Sequence, residues 1–261
     1  MPRRLPRIPT EELRRFISIV RRLRRECPWD RRQTHRSIRH SLIEEAYEVV
    51  EALDAGNAVE LRRELGDLLL HVVMHGVIAE QAGEFTLAEV VGDVTAKLIR
   101  RHPHIFKRRT RLSADQVRGQ WERLKLREGR TSLLDGVPVS LPALQRAERV
   151  QERAGRVGFQ WDRTEQVWRK VQEELREFKH TLARPGRARR EAEFGDFLFA
   201  LVNYARYVGV HPENALRGTT DKFIRRFRYI ERSLARQGRD PHRSTLREMD
   251  ALWEQAKRRG L

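Results

Sequence analysis

The chain has 261 residues, with 54 Lys and Arg against 37 Asp and Glu, a net charge of +17. One cysteine, Cys27, excludes an intrachain disulfide and fits a reducing cytoplasm. The basic start lacks the apolar stretch of a signal peptide, and the most apolar segment, 65–79, is broken by Asp67, His71 and His75, so neither a leader nor a membrane span is expected.

Apolar residues at Leu13, Phe16, Ile17, Val20 and Leu23 have helical spacing over 10–26. Cys27-Pro28-Trp29-Asp30 breaks that pattern. A helix is then expected over 34–53, with Ile38, Leu42, Ile43, Val49 and Val50 as its apolar side. Gly56-Asn57 is a stop-and-turn signal, and the next helix covers about 57–81. Thr86-Leu-Ala-Glu89 has the form of a capping box and opens a helix to Arg101, which His102-Pro103 ends. Ser113-Ala-Asp-Gln116 opens another, ending near Glu128. No segment shows the alternation of a strand, and the expected fold class is all-α. Residues 131–142, with Gly136, Pro138 and Pro142, have no helical period and read as a linker between domains 1–130 and 143–261.

The second half repeats the first. Glu45 and Glu48 are three apart, as are Glu64 and Asp67, so each pair shares one face of a helix, and a tight turn between the helices brings four carboxylates together. Glu174, Glu177, Glu193 and Asp196 repeat them at a constant offset of 129 residues, with Pro185-Gly186 at the turn. Surface charges have no reason to keep such a register. Gathered carboxylates repel and call for a cation; all-oxygen ligands favour Mg²⁺ or Mn²⁺. His71 has Ala200 as its counterpart, and neither tetrad contains Glu-x-x-His, which disfavours a di-iron site.

Lysines repeat as well. Lys97, Arg100 and Arg101 answer Lys222, Arg225 and Arg226, and Trp121 and Lys125 answer Trp253 and Lys257. In a chain that otherwise favours arginine, these four lysines are more than half of all lysines, and a compact ammonium binds phosphate as a point charge. Trp29 and Trp161 are expected in the core; Trp121 and Trp253 fit either the core or stacking on a nucleobase. The positive charge also admits a second reading, a basic nucleic-acid-binding or regulatory protein with silent acidic clusters. Two acidic clusters would repel a phosphate backbone, so nucleic acid is not the expected partner.

Glu-x-x-Glu…Glu-x-x-Asp, Cys-Pro-Trp-Asp upstream, Glu-Leu-Gly-Asp at the second pair, Arg-Arg-His-Pro-His-Ile-Phe at 100–106 and Leu-Asp-Gly-Val-Pro at 134–138 resemble MazG over nearly the whole chain. MazG is the two-domain nucleoside triphosphate pyrophosphohydrolase of the all-α NTP pyrophosphatase superfamily. The resemblance implies Mg²⁺-dependent hydrolysis of NTPs and dNTPs to monophosphate and pyrophosphate, and a homodimer whose four-helix cores are completed by the partner. It also implies metal ligands at Glu45, Glu48, Glu64 and Asp67 and at Glu174, Glu177, Glu193 and Asp196. In this reading Glu44 or Glu173 is a general base or a solvent-facing residue. Lys97 and Arg101, and in the second repeat Lys222, Arg225 and Arg226, offset charge on the leaving pyrophosphate. Arg189, Trp253 and Lys257 complete the substrate-binding set.

Overall fold

The computed structural model describes residues 10–107, 110–113, 116–117, 120, 132–183 and 186–261, and every regular element among them is helical. Trp121, Lys125 and Pro185, and most of the helix expected from Ser113, lie outside the described residues. The chain divides into two compact units, residues 1–113 and 114–261.

The first unit contains α1 (Thr10–Glu26), α2 (Pro28–Arg32), α3 (Arg39–Asp54), α4 (Ala58–Ala82), α5 (Leu87–Arg101) and α6 (Pro103–Phe106). Glu11 and Glu12 at the start of α1, and Arg24 and Arg25 at its end, suit the helix dipole. The link from α3 to α4 is short enough to force an antiparallel hairpin. Gly56 there has φ +64°, and the Asn57 side chain accepts from the Val59 and Glu60 amides. Gly83, in the left-handed region, ends α4, and the Thr86–Glu89 capping box starts α5. The core joins Val20, Ile38, Val73, Met74, Val77 and Ile78, with Phe16, Ile17, Leu70 and Leu87 packed against them. Gly76 lets α5 approach: a Cβ there would stand 2.3 Å from Leu87 Cδ2.

Two expectations need correcting. The third helix starts at Arg39, not near Thr34. Thr34 and Ser37 each accept the other's backbone amide through their hydroxyls, a turn that competes with helix. Trp29 is 66% exposed and Trp161 39% exposed, so neither is core. The interior position below α2 is taken by Arg24, whose guanidinium donates to the carbonyls of Asp30 and Gln33 and to Gln81 Oε1. Those carbonyls need a donor once buried, and the arginine supplies it. Cys27, half-buried, is the residue just before α2.

The second unit contains α7 (Ala143–Gly155), α8 (Thr164–Leu182), α9 (Arg187–Tyr207), α10 (Pro212–Ala235) and α11 (Leu246–Arg258). Residues 132–142 form turns, and Arg153 donates to the carbonyls of Asp135 at 2.5 Å and Gly136 at 3.1 Å, fastening that segment to α7. The α8–α9 hairpin turns at Gly186, φ +140°. Val167, Val171, Ala200, Val202, Ile230, Leu234 and Ala256 are buried, and Gln151 reaches the Phe199 carbonyl at 2.7 Å. No helix among the described residues is long and apolar enough to cross a membrane.

Candidate active site

Each hairpin gathers three carboxylates. Oxygens of Glu45 and Glu48 on α3 and Glu64 on α4 lie within 4.8 Å of one another; those of Glu174 and Glu177 on α8 and Glu193 on α9 do the same. The helical spacing that pairs i with i+3 and the turn that reverses the chain are sufficient cause. Asp67 and Asp196, one turn beyond, stand outside these two sets, although Asp67 is near enough for its charge to act on Glu45.

The first set is under electrostatic strain. Burial, with hydrogen bonds to Glu60 and Glu48, pushes the Glu64 carboxyl up to about 7. Burial and the charges of Glu48 and Asp67 raise Glu45 too. Glu64 is only 8% exposed and has no cationic partner among the described residues. His71 Nε2 stands 4.0 Å from Glu45 Oε1, at the margin of the cluster. Its neighbour His75 faces His35, with their Nδ1 atoms 2.7 Å apart.

The second set has a cation inside it. Lys170 Nζ lies 2.7 Å from Glu173 Oε1 and 2.7 Å from Glu174 Oε1. The two contacts raise the lysine above its ordinary range, and Lys170 holds Glu173 below the usual carboxylate range. Sequence reasoning missed Lys170, although its spacing of four residues before Glu174 was a usable signal. A cleft of about 590 Å³ opens beside this cluster, lined by Glu173, Arg176, Glu177, His180, Arg189 and Glu193. Glu173 therefore faces the cleft, whereas Glu44, its counterpart, is exposed.

The remaining basic residues form a separate group. Arg226 donates to the Leu261 carbonyl at 2.7 Å and lies over the Trp253 ring, which packs tilted against Phe223. Lys257 pairs with Glu254 at 2.8 Å, and Lys222 and Arg225 are exposed. None of these five lines the cleft of Glu173 and Glu193. Lys97, exposed on α5, and Arg101 at its end are likewise not in the wall of the first cleft.

Paired helical hairpins with carboxylate clusters, one of them beside a cleft that also carries arginines and a histidine, suit a hydrolase acting on charged phosphates, and comparison with known proteins agrees. The MazG nucleotide pyrophosphohydrolase domain family matches residues 33–106, which hold the first cluster. The chain is 42% identical over 247 residues to the Thermotoga maritima protein named nucleoside triphosphate pyrophosphohydrolase/pyrophosphatase MazG, covering 93% of this chain and 94% of that one. It is 39% identical over 256 residues to the nucleoside triphosphate pyrophosphohydrolase of Escherichia coli K12, covering 95% and 97%. A solved MazG-related protein from Thermotoga maritima aligns with a TM-score of 0.40 at 25% identity, over 43% of this chain and 98% of that one. The chain belongs to the MazG family of nucleoside triphosphate pyrophosphohydrolases.

Proposed function

We propose that the protein hydrolyses nucleoside triphosphates, both NTPs and dNTPs, to the monophosphate and pyrophosphate, and that the cleft of the second unit does this work. The observation that carries the reading is the composition of that cleft: carboxylates gathered within 4.8 Å beside Arg176, His180 and Arg189. Acidic ligands alone would repel a triphosphate, and basic groups alone would hold it without activating water; the two together suit a metal-bound nucleotide.

The donor set fits a hard divalent ion, Mg²⁺ or Mn²⁺, because every ligand is a carboxylate oxygen. Glu174, Glu177 and Glu193 would hold it, with Asp196 one turn on; Glu45, Glu48, Glu64 and Asp67 are the equivalent set. When bound, such an ion neutralises phosphate oxygens and makes a water acidic enough to attack. Glu173, kept ionised by Lys170 and facing the cleft, accepts the proton of that water. Arg189 and Arg176 hold phosphate oxygens in place. Water attacks the α-phosphorus, and the β and γ groups leave together.

Lys222, Arg225, Arg226, Trp253 and Lys257 are assigned to the leaving pyrophosphate and the base, reached when a second copy of the chain docks. The same repeat-wise logic assigns Lys97 and Arg101 to the first unit. Support for a homodimer comes from apolar side chains left open along the hairpins, Leu65, Leu69 and Val72 on α4 and Phe194 and Leu198 on α9. Each hairpin is then the centre of one MazG-like repeat, residues 1–130 and 143–261, with 131–142 as the linker between the repeats. The charge reading as a nucleic-acid binder gains no support from clefts floored with carboxylates.

A panel of NTPs and dNTPs with Mg²⁺, scored for pyrophosphate, tests the reading. Pyrophosphate release that falls to background in EDTA is the expected result, and in ¹⁸O-water the label enters the monophosphate. Nucleoside diphosphate and orthophosphate as products would remove the proposed function. Sedimentation at micromolar concentration should give a dimer; a fully active monomer would contradict the assembly.

A further inference from the structure

A further cleft, of about 480 Å³, opens where the end of α1, α2 and the last turns of α4 meet. Four guanidinium groups line it, those of Arg21, Arg24, Arg25 and Arg31, against a single carboxylate, that of Glu80. It lies far from the carboxylate sets. Glu80 is sixteen residues past Glu64 on the same helix, about 24 Å at 1.5 Å per residue. The first cleft, about 460 Å³ beside Glu48, Glu60 and Glu64, shares no residue with it. The one carboxylate is already engaged. Arg21 holds both Glu80 oxygens, at 3.0 and 2.9 Å, and the Leu87 amide donates to Glu80 at 3.1 Å. Arg25 reaches Glu26 at 3.2 Å, a carboxylate that Arg22 grips more closely at 2.7 Å. Arg31 is exposed and has no acidic partner among the described residues. Arg24 is 7% exposed, yet it donates only to neutral oxygens, the carbonyls of Asp30 and Gln33 and Gln81 Oε1. Burial lowers its pKa, although the nearby charge of Asp30 opposes the shift. A buried cation with no anion bonded to it is costly, and the mechanism above uses none of these four arginines.

We propose that this arginine cleft binds a condensed phosphate anion, pyrophosphate being the smallest, at a site separate from the hydrolytic hairpins. Guanidinium forks match phosphate oxygens in pairs, and donors carried on two helices suit an anion with more than one phosphoryl group. The volume falls within the range of about 300–1,000 Å³ usual for small-molecule sites. Val77 is the only apolar side chain in the wall among the described residues, and no aromatic ring lines it, so the cleft has no shelf for a base. That favours a bare phosphate chain over a nucleotide or a single-stranded nucleic acid. Arg24 contributes a fixed, buried charge that the anion neutralises. Arg25 and Arg31 contribute exposed donors that give up little on binding. Pyrophosphate is also the product of the reaction proposed above, so the cleft fills as turnover proceeds. That last link rests on the pyrophosphohydrolase reading; the site itself does not.

Isothermal titration of inorganic pyrophosphate into the full-length, EDTA-treated protein reads the site without turnover, because EDTA leaves the carboxylate sets no ion with which to hold an anion. One pyrophosphate per chain is expected. Arg25→Glu and Arg31→Glu should each weaken it by about tenfold or more, the scale of a lost bond to a charged group. Arg189→Glu, in the second cleft, should leave it unchanged. Arg25 and Arg31 are exposed, so the variants should melt like the wild type. Arg25→Gln with Arg31→Gln, which removes charge without reversing it, should reproduce the loss. Orthophosphate should bind more weakly than pyrophosphate by about tenfold or more. Absence of binding, a loss that follows Arg189 instead of Arg25 and Arg31, or equal affinity for orthophosphate overturns the proposal. So does a thymidine oligonucleotide that binds more tightly than pyrophosphate through the same two arginines, which would make the cleft a nucleic-acid contact. A chain that binds pyrophosphate here yet releases none from any NTP with Mg²⁺ keeps the site and removes the hydrolase reading.

Discussion

At position 60 the chain carries Glu, and at the matching position 189 it carries Arg; at 41 it carries Ser, and at 170 Lys. The ligand carboxylates around these positions are matched in the two hairpins, each of which presents them from two antiparallel helices. What separates the units is countercharge. Glu60 adds to the repulsion that pushes Glu64 up to about 7, whereas Arg189 stands 3.8 Å from Glu193 and Lys170 fills the gap between Glu173 and Glu174. A shared ligand set therefore does not mean a shared job. The groups around the ligands decide whether a site accepts an ion, an anion, or the two together.

The largest test removes ligands one unit at a time. Glu177→Gln or Asp196→Asn should lower kcat by on the order of 10²-fold or more, the scale seen when charge stabilisation at a reacting phosphate is lost. Glu48→Gln and Asp67→Asn should leave turnover within a few-fold of wild type. Equal losses from both units, measured as pyrophosphate release under saturating Mg²⁺, would erase the distinction between them.

A second test concerns packing, where the units also differ. Gly76, against which Leu87 lies, has Ala205 as its counterpart. Gly76→Ala should cost about 1–3 kcal/mol through overpacking of α4 against α5. Thermal unfolding should move down by several degrees; an unchanged midpoint would mean that Leu87 yields freely. Smaller still is the cap. Thr86→Ala removes the hydroxyl that accepts from the Glu89 amide at the start of α5, leaving the backbone amide of residue 86 donating to the Glu89 carboxylate, and should cost about 1 kcal/mol. Its analogue, Thr245→Ala, leaves Glu248 with a second hold, the Arg239 guanidinium at 2.9 Å, so α11 should be less affected than α5 in hydrogen exchange.

The gentlest effect is spread along the pH axis. The folded Glu64 carboxyl titrates near 7, above the 4.5 of an ordinary glutamate. A folded value raised in this way favours the protonated form, so the stabilisation is complete below about pH 4.5 and fades as pH rises through about 7. Metal-free protein should lose thermal stability across that window. Glu64→Gln should flatten the loss, and so should saturating Mn²⁺. A slope that Glu64→Gln leaves untouched would place its origin elsewhere.

Much of this was legible in the chain. Gly56-Asn57 and the Thr86–Glu89 pair mark helix ends that the structure places within a residue or two, because caps act through bonds that depend only on local sequence. The repeated spacing was enough to bring three of the four expected carboxylates of each hairpin together, while Asp67 and Asp196 stand outside the sets. Less local features were harder to read. Trp29 is exposed while Arg24 is buried, its guanidinium reaching the carbonyls of Asp30 and Gln33 at the end of α2 and Gln81 on α4, 57 residues away. The Thr34–Ser37 turn shortened α3 because hydroxyls compete for the same amides that a helix needs. Lys170 lies one helical turn from Glu174 and could have been read, yet a lysine near a glutamate is common enough on any helix to pass for a surface pair.

Cys27, half-buried just before α2, has one further consequence. A nitroxide attached to the chain's single thiol gives one spin per polypeptide without altering any other side chain. A dipolar distance between two spins then exists only where two chains have met. Pulsed spin resonance on the labelled wild-type sequence would report assembly, and any rearrangement of it on adding nucleotide, from one atom that the sequence itself provides.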